Sequence, residues 1–457
     1  RVRHRAMRAL VAGALLSAAT AAIDSAVPDA AFIWQWFREG TFNEFGLPRP
    51  SGVFAYPTIG AMYEEASVPL LIVVPFLGAH AIHRRGARRA AICVVASSVL
   101  IVGAILVSAT RSGLAGAAIA ALAMLWLARS GGQWVRRASA GVLAVVVLQW
   151  IFAVTSGAGG LLSQRLRWWH DEVWFRADYI VDTSPRAMHA GDVLTVPVTV
   201  RNTGNVTWPH ATGRPTRLAY HWEPLGRNGT QADYEGQRSE LPYDVPPGGV
   251  LEVVATVRAP LVEGPYRLQW DLLQEFVTWF SERGNPMVEQ QVDVGPPREG
   301  IELPVWTTPV PRVMSAPPAP PRPTLWRAAL VLWHQRPLLG VGPDNFRRRY
   351  QAILSPAPSG QPYTDTRLHA NSLYFETLAD LGLAGIAVLA WIALALSRQI
   401  RRQVSAGDLA GLGCSVAAGT FFVHGGLDYF FEFTPLFGLF WVLLGLSAAS
   451  APRPSAS

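Results

Sequence analysis

Apolar residues crowd into long runs at both ends of the chain. These lie near 7–27, 60–82, 90–109, 113–128, 138–156, 382–397, 409–424 and 434–449. A helix needs about 20 apolar residues to cross about 30 Å of hydrocarbon, and the shorter runs complete a crossing with interfacial residues or tilt. Between the fifth and sixth runs the pattern changes to short segments: VLTVPVTV (193–200), TRLAYHW (216–222), VLEVVATV (250–257), YRLQWDLL (266–273) and MVEQQVDV (287–294). They are rich in β-branched and aromatic residues and are separated by turns such as NTGN and PPGG, which predicts strands. Their spacing fits an immunoglobulin-like sandwich.

The fold class expected is therefore an all-α polytopic membrane bundle of about eight spans. An all-β, Ig-like sandwich domain is inserted on the outer side. The expected divisions are a membrane part over 1–156, the β-sandwich over 176–294, a stiff Pro-rich linker over 295–323, a loop with helices over 324–381, and a second membrane part over 382–449. Within the loop, Leu325, Ala329, Leu332 and Trp333 recur at helical spacing and predict a helix lying along the membrane face.

Composition agrees with a membrane protein. Half the residues (50%) are hydrophobic, 16% are charged and the mean hydropathy is +0.22, whereas a soluble chain carries about a quarter charged residues. The net charge is +7 and no Lys occurs, so every basic residue is Arg. The Arg clusters sit beside apolar runs, where topology explains them, and no nucleic-acid partner is implied. Cys93 and Cys414 both fall inside apolar runs and read as small buried hydrophobes. The chain starts at Arg1, so a fragment with upstream spans missing is expected.

Charge orients the spans. Arg1, Arg3, Arg5 and Arg8 precede the first, and Arg84, Arg85, Arg88 and Arg89 follow the second. Arg129, Arg136 and Arg137 follow the fourth, and Arg398, Arg401 and Arg402 follow the sixth. All fall on one side if the N-terminus is cytoplasmic. The turn Thr110-Arg111-Ser112, the segment 157–381 and the turn 424–435 then face outward, as does 28–59. Nucleotide sugars and ATP are cytoplasmic, so outward chemistry needs a substrate that arrives in the membrane already activated.

The chain carries no Walker A loop, no HExxH and no DxD, and no GxSxG in a strand–turn–helix context. The candidates left are outward-facing Arg, His and carboxylate residues. Arg111 is either an interfacial side chain snorkelling to water or an anion clamp. His369 is either structural or a general base for a sugar hydroxyl. Ser372, Glu376 and Asp380 share a stripe of the helix that follows; Glu376 and Asp380 either orient His369 or are first-turn acids favoured by the helix dipole, the plainer reading. GVGPDN (340–345) lacks the Lys of a phosphate loop and reads as a positioning turn. His424 and Asp428, four apart, make a His–carboxylate pair at the outer mouth of the bundle, either functional or structural, and Glu64–Glu65 opens a span.

Together, SATRSGLAGAAIAAL (108–122), RPTLWRAALVLWHQRPLLGVGPDNF (322–346), RLHANSLYFETLADLGLAG (367–385) and HGGLDYFFEFTPLFGLFW (424–441) resemble the O-antigen ligase/polymerase superfamily of bacterial membrane glycosyltransferases. SGVFAYPTIGAMY (51–63) is a weaker counterpart of a family stretch, with Thr58 where Asn is usual. The resemblance implies a metal-independent, inverting transferase of the bacterial cytoplasmic membrane that uses no cofactor. Its donor would be a polyprenyl-diphosphate-linked glycan, its acceptor a hydroxyl on a glycan, lipid or protein, and its setting the lipid bilayer. It also implies that Arg111 and Arg322 hold the diphosphate and that His369 activates the acceptor. Arg327 (the rival of Arg322), Arg367, Asn371, His424 and Asp428 would be substrate-binding. The alternative is a non-enzymatic membrane receptor or anchor that binds surface glycan or protein through the β domain. A transporter is a third reading.

Overall fold

The computed structural model describes residues 2–27, 31–34, 36–37, 42–44, 47–77, 84–128, 132–156, 161–166, 171–211, 214–225, 236–275, 277–298, 320–355, 363 and 365–449. Arg129 and most of the Pro-rich stretch 295–323 lie outside the described residues. The chain divides into two compact units, one of residues 1–156, 319–355 and 364–457, the other of 157–318 and 356–363.

The first unit is helical. Helices α1 (Val2–Ala26) and the short α2 (Ala31–Trp34) are followed by a two-stranded ribbon, β1 (Phe42–Glu44) and β2 (Leu47–Arg49). Then come α3 (Pro57–Val73), α4 (Arg84–Val107), α5 (Arg111–Leu127) and α6 (Gly132–Thr155). After the β unit, which itself begins with the short helix α7 (Leu161–Leu166), follow α8 (Arg322–Gln335), α9 (Phe346–Leu354), α10 (Leu373–Ala406), α11 (Leu409–His424) and α12 (Thr434–Ala448).

Among the described residues, five helices are long and apolar enough to cross a membrane: Val2–Ala26, Pro57–Phe76, Arg85–Val107, Gly132–Thr155 and Leu373–Ala406. Helices α5, α11 and α12 are apolar but shorter. The chain is thus a multi-pass membrane protein. Helix α3 lies at its centre, with 83% of its apolar window buried against 28% for α6, and it packs on α1, α4, α5 and α11. Pro57 starts α3 where a missing N–H costs nothing. Between α10 and α11 the turn takes two residues. Gly407, at φ +65, ends one helix, and the Asp408 carboxylate caps the next by accepting from Gly411 N at 3.0 Å. Asp408 also receives Arg3 of α1 at 2.7 Å, which closes the bundle.

The second unit is a β domain of two sheets. One has the order β3 (Ala177–Ile180), β5 (Val193–Asn202), β8 (Val250–Arg258). The other runs β4 (Ala187–His189), β11 (Val288–Gly295), β9 (Gly264–Gln274), β6 (Thr216–Pro224), β7 (Ser239–Glu240), with β10 (Thr278–Trp279) paired to β9. All pairings are antiparallel except β4 with β11. Alternation along β5 and β8 buries Val196, Val198 and Val200 with Val253, Ala255 and Val257, the period-2 signature of a half-buried sheet. In the other sheet Trp222 and Trp270 are fully buried. The Trp222 indole N–H donates to Arg258 O at 2.8 Å.

Candidate functional site

The start of α10 is built around one buried imidazole. Asn371 takes a left-handed conformation (φ +48), which Asn tolerates better than most residues. Ser372 is then extended and the helix begins at Leu373. The Leu373 N–H donates to Gly425 O at 2.7 Å and Asp428 O at 2.9 Å, which ties this start to the end of α11. One turn into α10, Glu376 reaches back. Its Oε1 lies 2.7 Å from His369 Nδ1 and its Oε2 accepts the Ala370 N–H at 2.6 Å. Both carboxylate oxygens are therefore engaged, and the His–Glu bond puts the ring proton on Nδ1. In the neutral ring Nε2 then carries the lone pair. It lies 3.9 Å from Glu432, with the Tyr429 ring 4.9 Å from the imidazole. A nitrogen base held by a carboxylate that is itself fixed is the arrangement by which proteins orient a general base.

Burial works against a charged His369. The hydrogen bond and charge of Glu376, aided by Glu432 and Asp344, outweigh it and raise the His369 pKa above the usual imidazole value. The pairing is therefore at full strength below the usual imidazole pKa and fades as pH rises through the raised one. A general base at this position, the role expected of His369 from the sequence, would run the opposite way and gain as the ring loses its proton. Glu376→Gln removes the raising partner and keeps the burial. The acidic limb of the rate profile is then expected to move to lower pH, with a lower plateau. A pH–rate series on both proteins checks this, and an unmoved limb would contradict it.

Asp380, on the same stripe, does different work. Its carboxylate accepts Asp344 N at 2.6 Å and Phe346 N at 2.8 Å, which fixes the loop ahead of α9. Helix α10 is broken at Gly382 (φ 63, ψ −155). The orphaned groups bond to the loop 337–342: Leu383 N to Pro337 O (2.9 Å), Ala384 N to Leu338 O (3.0 Å), Val341 N to Ala379 O (2.9 Å) and Gly342 N to Asp380 O (2.9 Å). GVGPDN is thus threaded into a helix break. Helix α8 buries Leu325, Ala328, Ala329 and Leu332. Trp326 stacks on Phe375 with ring centroids 5.0 Å apart, which holds α8 to α10.

A second buried imidazole lies at the end of α11. His424 Nδ1 is 3.0 Å from Glu65 Oε1 of α3, while Nε2 is 3.1 Å from Ser112 Oγ of α5 and 3.8 Å from Asp428. Burial opposes a charged Asp428, but His424 and Arg322 together hold its carboxyl below the usual range. Arg322 starts α8, half-buried, and its Nε is enclosed with no hydrogen-bond partner among the described residues. Arg111 starts α5, also half-buried. Arg327 is exposed one turn beyond Arg322. Arg367 is exposed too, its guanidinium 3.6 Å from Asp365. Of the residues singled out in the sequence, Arg322, His424 and Asp428 therefore come together. His369 sits with Glu376, Tyr429 and Glu432, while Arg327 and Arg367 turn to solvent.

Two participants, Glu65 and Arg49, escaped the sequence reading. Glu65 stood out only as part of a pair opening a span, whereas for Glu376 the orienting role, set below the first-turn-acid reading in the sequence, is the one its hydrogen bond to His369 fits. Arg49 carried no signal at all. It is buried at the end of β2, where its Nε donates to Ser108 O at 2.8 Å and its Nη2 to Thr110 Oγ1 at 3.1 Å. It thereby holds the turn whose Ala109 is left-handed (φ +53) and from which Arg111 emerges. Among the described residues, no group of three or more His, Cys, Asp or Glu is placed to hold a metal ion.

The structure thus defines a multi-pass membrane protein with two buried histidine–carboxylate centres at the ends of adjoining helices. Residues 287–390 match the family model described as O-antigen ligase. This stretch carries Arg322, His369, Glu376 and Asp380, and the match bears out the resemblance to the O-antigen ligase/polymerase superfamily drawn from the sequence motifs. No curated protein matches the chain. Among solved structures, the sporulation control protein Spo0M from Bacillus subtilis is similar at 14% identity over 26% of this chain and 49% of its own, with a TM-score of 0.18. The chain thus spans about half the length of that structure. The alkylpurine DNA glycosylase AlkC from Pseudomonas fluorescens, bound to DNA, is similar at 8% identity over 52% and 71%, with a TM-score of 0.19. Scores this low describe no shared overall fold.

Proposed function

We propose that this protein transfers a glycan from a polyprenyl diphosphate carrier to an acceptor hydroxyl on the outer face of the bacterial cytoplasmic membrane. The observation that carries the reading is His369, fixed by Glu376 inside the segment that matches the O-antigen ligase family. In the reaction, the acceptor oxygen attacks the anomeric carbon and gives its proton to His369 Nε2. The bond from that carbon to the carrier oxygen breaks in line, with inversion. The diphosphate leaves already anionic, so it needs charge stabilisation more than protonation. Arg111 and Arg322 supply that charge in our reading, without a metal, because a guanidinium is permanently charged and forks onto phosphate oxygens. Asn371 shapes the turn beside His369, and Arg327 and Arg367 meet the glycan or headgroups from their exposed positions. The β unit reads as an immunoglobulin-like module on the same outer side, and the three shorter apolar helices complete a bundle of about eight spans.

The test is glycan transfer by the full chain in nanodiscs, supplied with a polyprenyl-diphosphate-linked oligosaccharide. Arg111→Ala and Arg322→Ala are each expected to slow transfer by about a hundredfold, as for loss of one donor to a developing anion. Unchanged rates in both variants would overturn the assignment.

A further inference from the structure

The turn that leads from α8 to the helix break is short and apolar. Gly340 N donates to Arg336 O at 2.9 Å, which closes it around Pro337, Leu338 and Leu339. The two leucines at its tip are 70% and 73% exposed. Exposed leucines scattered singly need no explanation, but neighbours that continue a larger apolar surface do. These continue the surface of α10. Pro337 O and Leu338 O accept from Leu383 N and Ala384 N, just past the break, so the turn lies at the level of that part of the helix. From there Leu383, Val388, Trp391 and Leu394 are exposed along a span with only 28% of its apolar window buried.

That level falls within the membrane. Arg398 is the first charged residue after the break, and charge marks the edge of a span. Gly382 precedes it by 16 residues, about 24 Å of helix, whereas the hydrocarbon is about 30 Å thick. Tilt shortens the reach further. The break and the turn bonded to it therefore stop short of the far boundary, inside the hydrocarbon. Irregular backbone is tolerated at such depth only where its polar groups are satisfied. Turn and break do this for each other through the bonds of 2.9–3.0 Å that join 337–342 to 379–384, and Pro337 has no N–H to satisfy. Arg336, exposed at the start of the turn, has a side chain long enough to reach lipid headgroups while its stem stays among apolar groups.

We propose that Leu338 and Leu339 form a wedge inserted into the bilayer, in the leaflet away from Arg398, with lipid acyl chains as their partner. The wedge fastens the end of α8 to the membrane at the depth of the Gly382 break. This inference is independent of the transferase reading, and its test needs no glycan donor.

The experiment places a single cysteine in the full chain, in a Cys93→Ser, Cys414→Ala background, and labels it with the fluorophore NBD in phosphatidylcholine nanodiscs. Leu338→Cys and Leu339→Cys are the test positions. Val388→Cys on the exposed face of α10 is the lipid reference, and Glu252→Cys, exposed on β8, is the water reference. Both leucines are exposed, so their replacement removes no internal packing. Labels at 338 and 339 are expected to be quenched by doxyl-labelled lipid as strongly as the label at 388, and by aqueous iodide several-fold less than the label at 252. Iodide quenching equal to that at 252, with none by doxyl lipid, would overturn the wedge. Protection from both quenchers would mean that protein covers the leucines, and would overturn it equally.

Discussion

His369→Ala is expected to lower glycan transfer by about 10²- to 10⁴-fold, the range for loss of a general base, with polyprenyl diphosphate binding retained. The split between rate and binding follows from the geometry. The ring is held at Nδ1 by Glu376, and Glu376 is held in turn by the Ala370 amide, so Nε2 is presented at a fixed place. The arginines assigned to the diphosphate are on other elements, at the starts of α5 and α8. Removing the imidazole therefore removes the proton acceptor and leaves the anion site. Single-turnover transfer measured beside farnesyl diphosphate binding checks both halves. Transfer at the wild-type rate would contradict the base assignment, and loss of binding would mean that His369 serves the donor rather than the acceptor.

Gly340→Ala and Gly382→Ala are expected to be the most damaging substitutions to stability, costing about 4 kcal/mol or more each. Both positions are left-handed, at φ +67 and φ +63, where a side chain is strained from the outset. Neither has room. A Cβ on Gly340 would lie 2.3 Å from the Asp380 carbonyl carbon, and one on Gly382 would lie 2.6 Å from Gly340 N and Pro337 O. These are backbone atoms, so no rotamer change relieves the clash. Separating the loop from the break would also leave the N–H groups of Leu383, Ala384, Val341 and Gly342 without their partners. Thermal melting of the purified variants, read beside transfer activity, checks this. An unchanged melting temperature in either would contradict the account of the break.

What could be read in the sequence was local. Apolar runs announced the helices because a span must be apolar along its length, and alternation announced the β5 and β8 strands. The α8 helix was visible because Leu325, Ala329 and Leu332 repeat at helical spacing and bury one stripe. His369 was conspicuous as a polar residue ahead of an apolar run. What stayed hidden was pairing across the chain. Glu376 and Asp380 share a stripe and look equivalent, yet one orients an imidazole seven residues back and the other fixes a loop 34 and 36 residues back. Glu65 and His424 are 359 residues apart, and Arg49 and Ser108 are 59 apart. Neither pair shares a local pattern. The break at Gly382 was also illegible, because glycine inside an apolar run reads as an ordinary helix residue unless its partner loop is known.

That break sets how the bilayer reaches the chemistry. A membrane span adjusts its tilt to the thickness of the lipid around it, and an unbroken helix would pass every such adjustment to the carboxylates at its head. Past Gly382, α10 is a long lever in the lipid. Before Gly382, the short head carrying Glu376 and Asp380 is bonded to the loop 337–346 and to the end of α11. The head is anchored to its neighbours and the lever to the membrane, with one glycine as the joint between them. The His369–Glu376 distance is therefore set by the anchored head and not by the lever, a separation of mechanical load from local alignment.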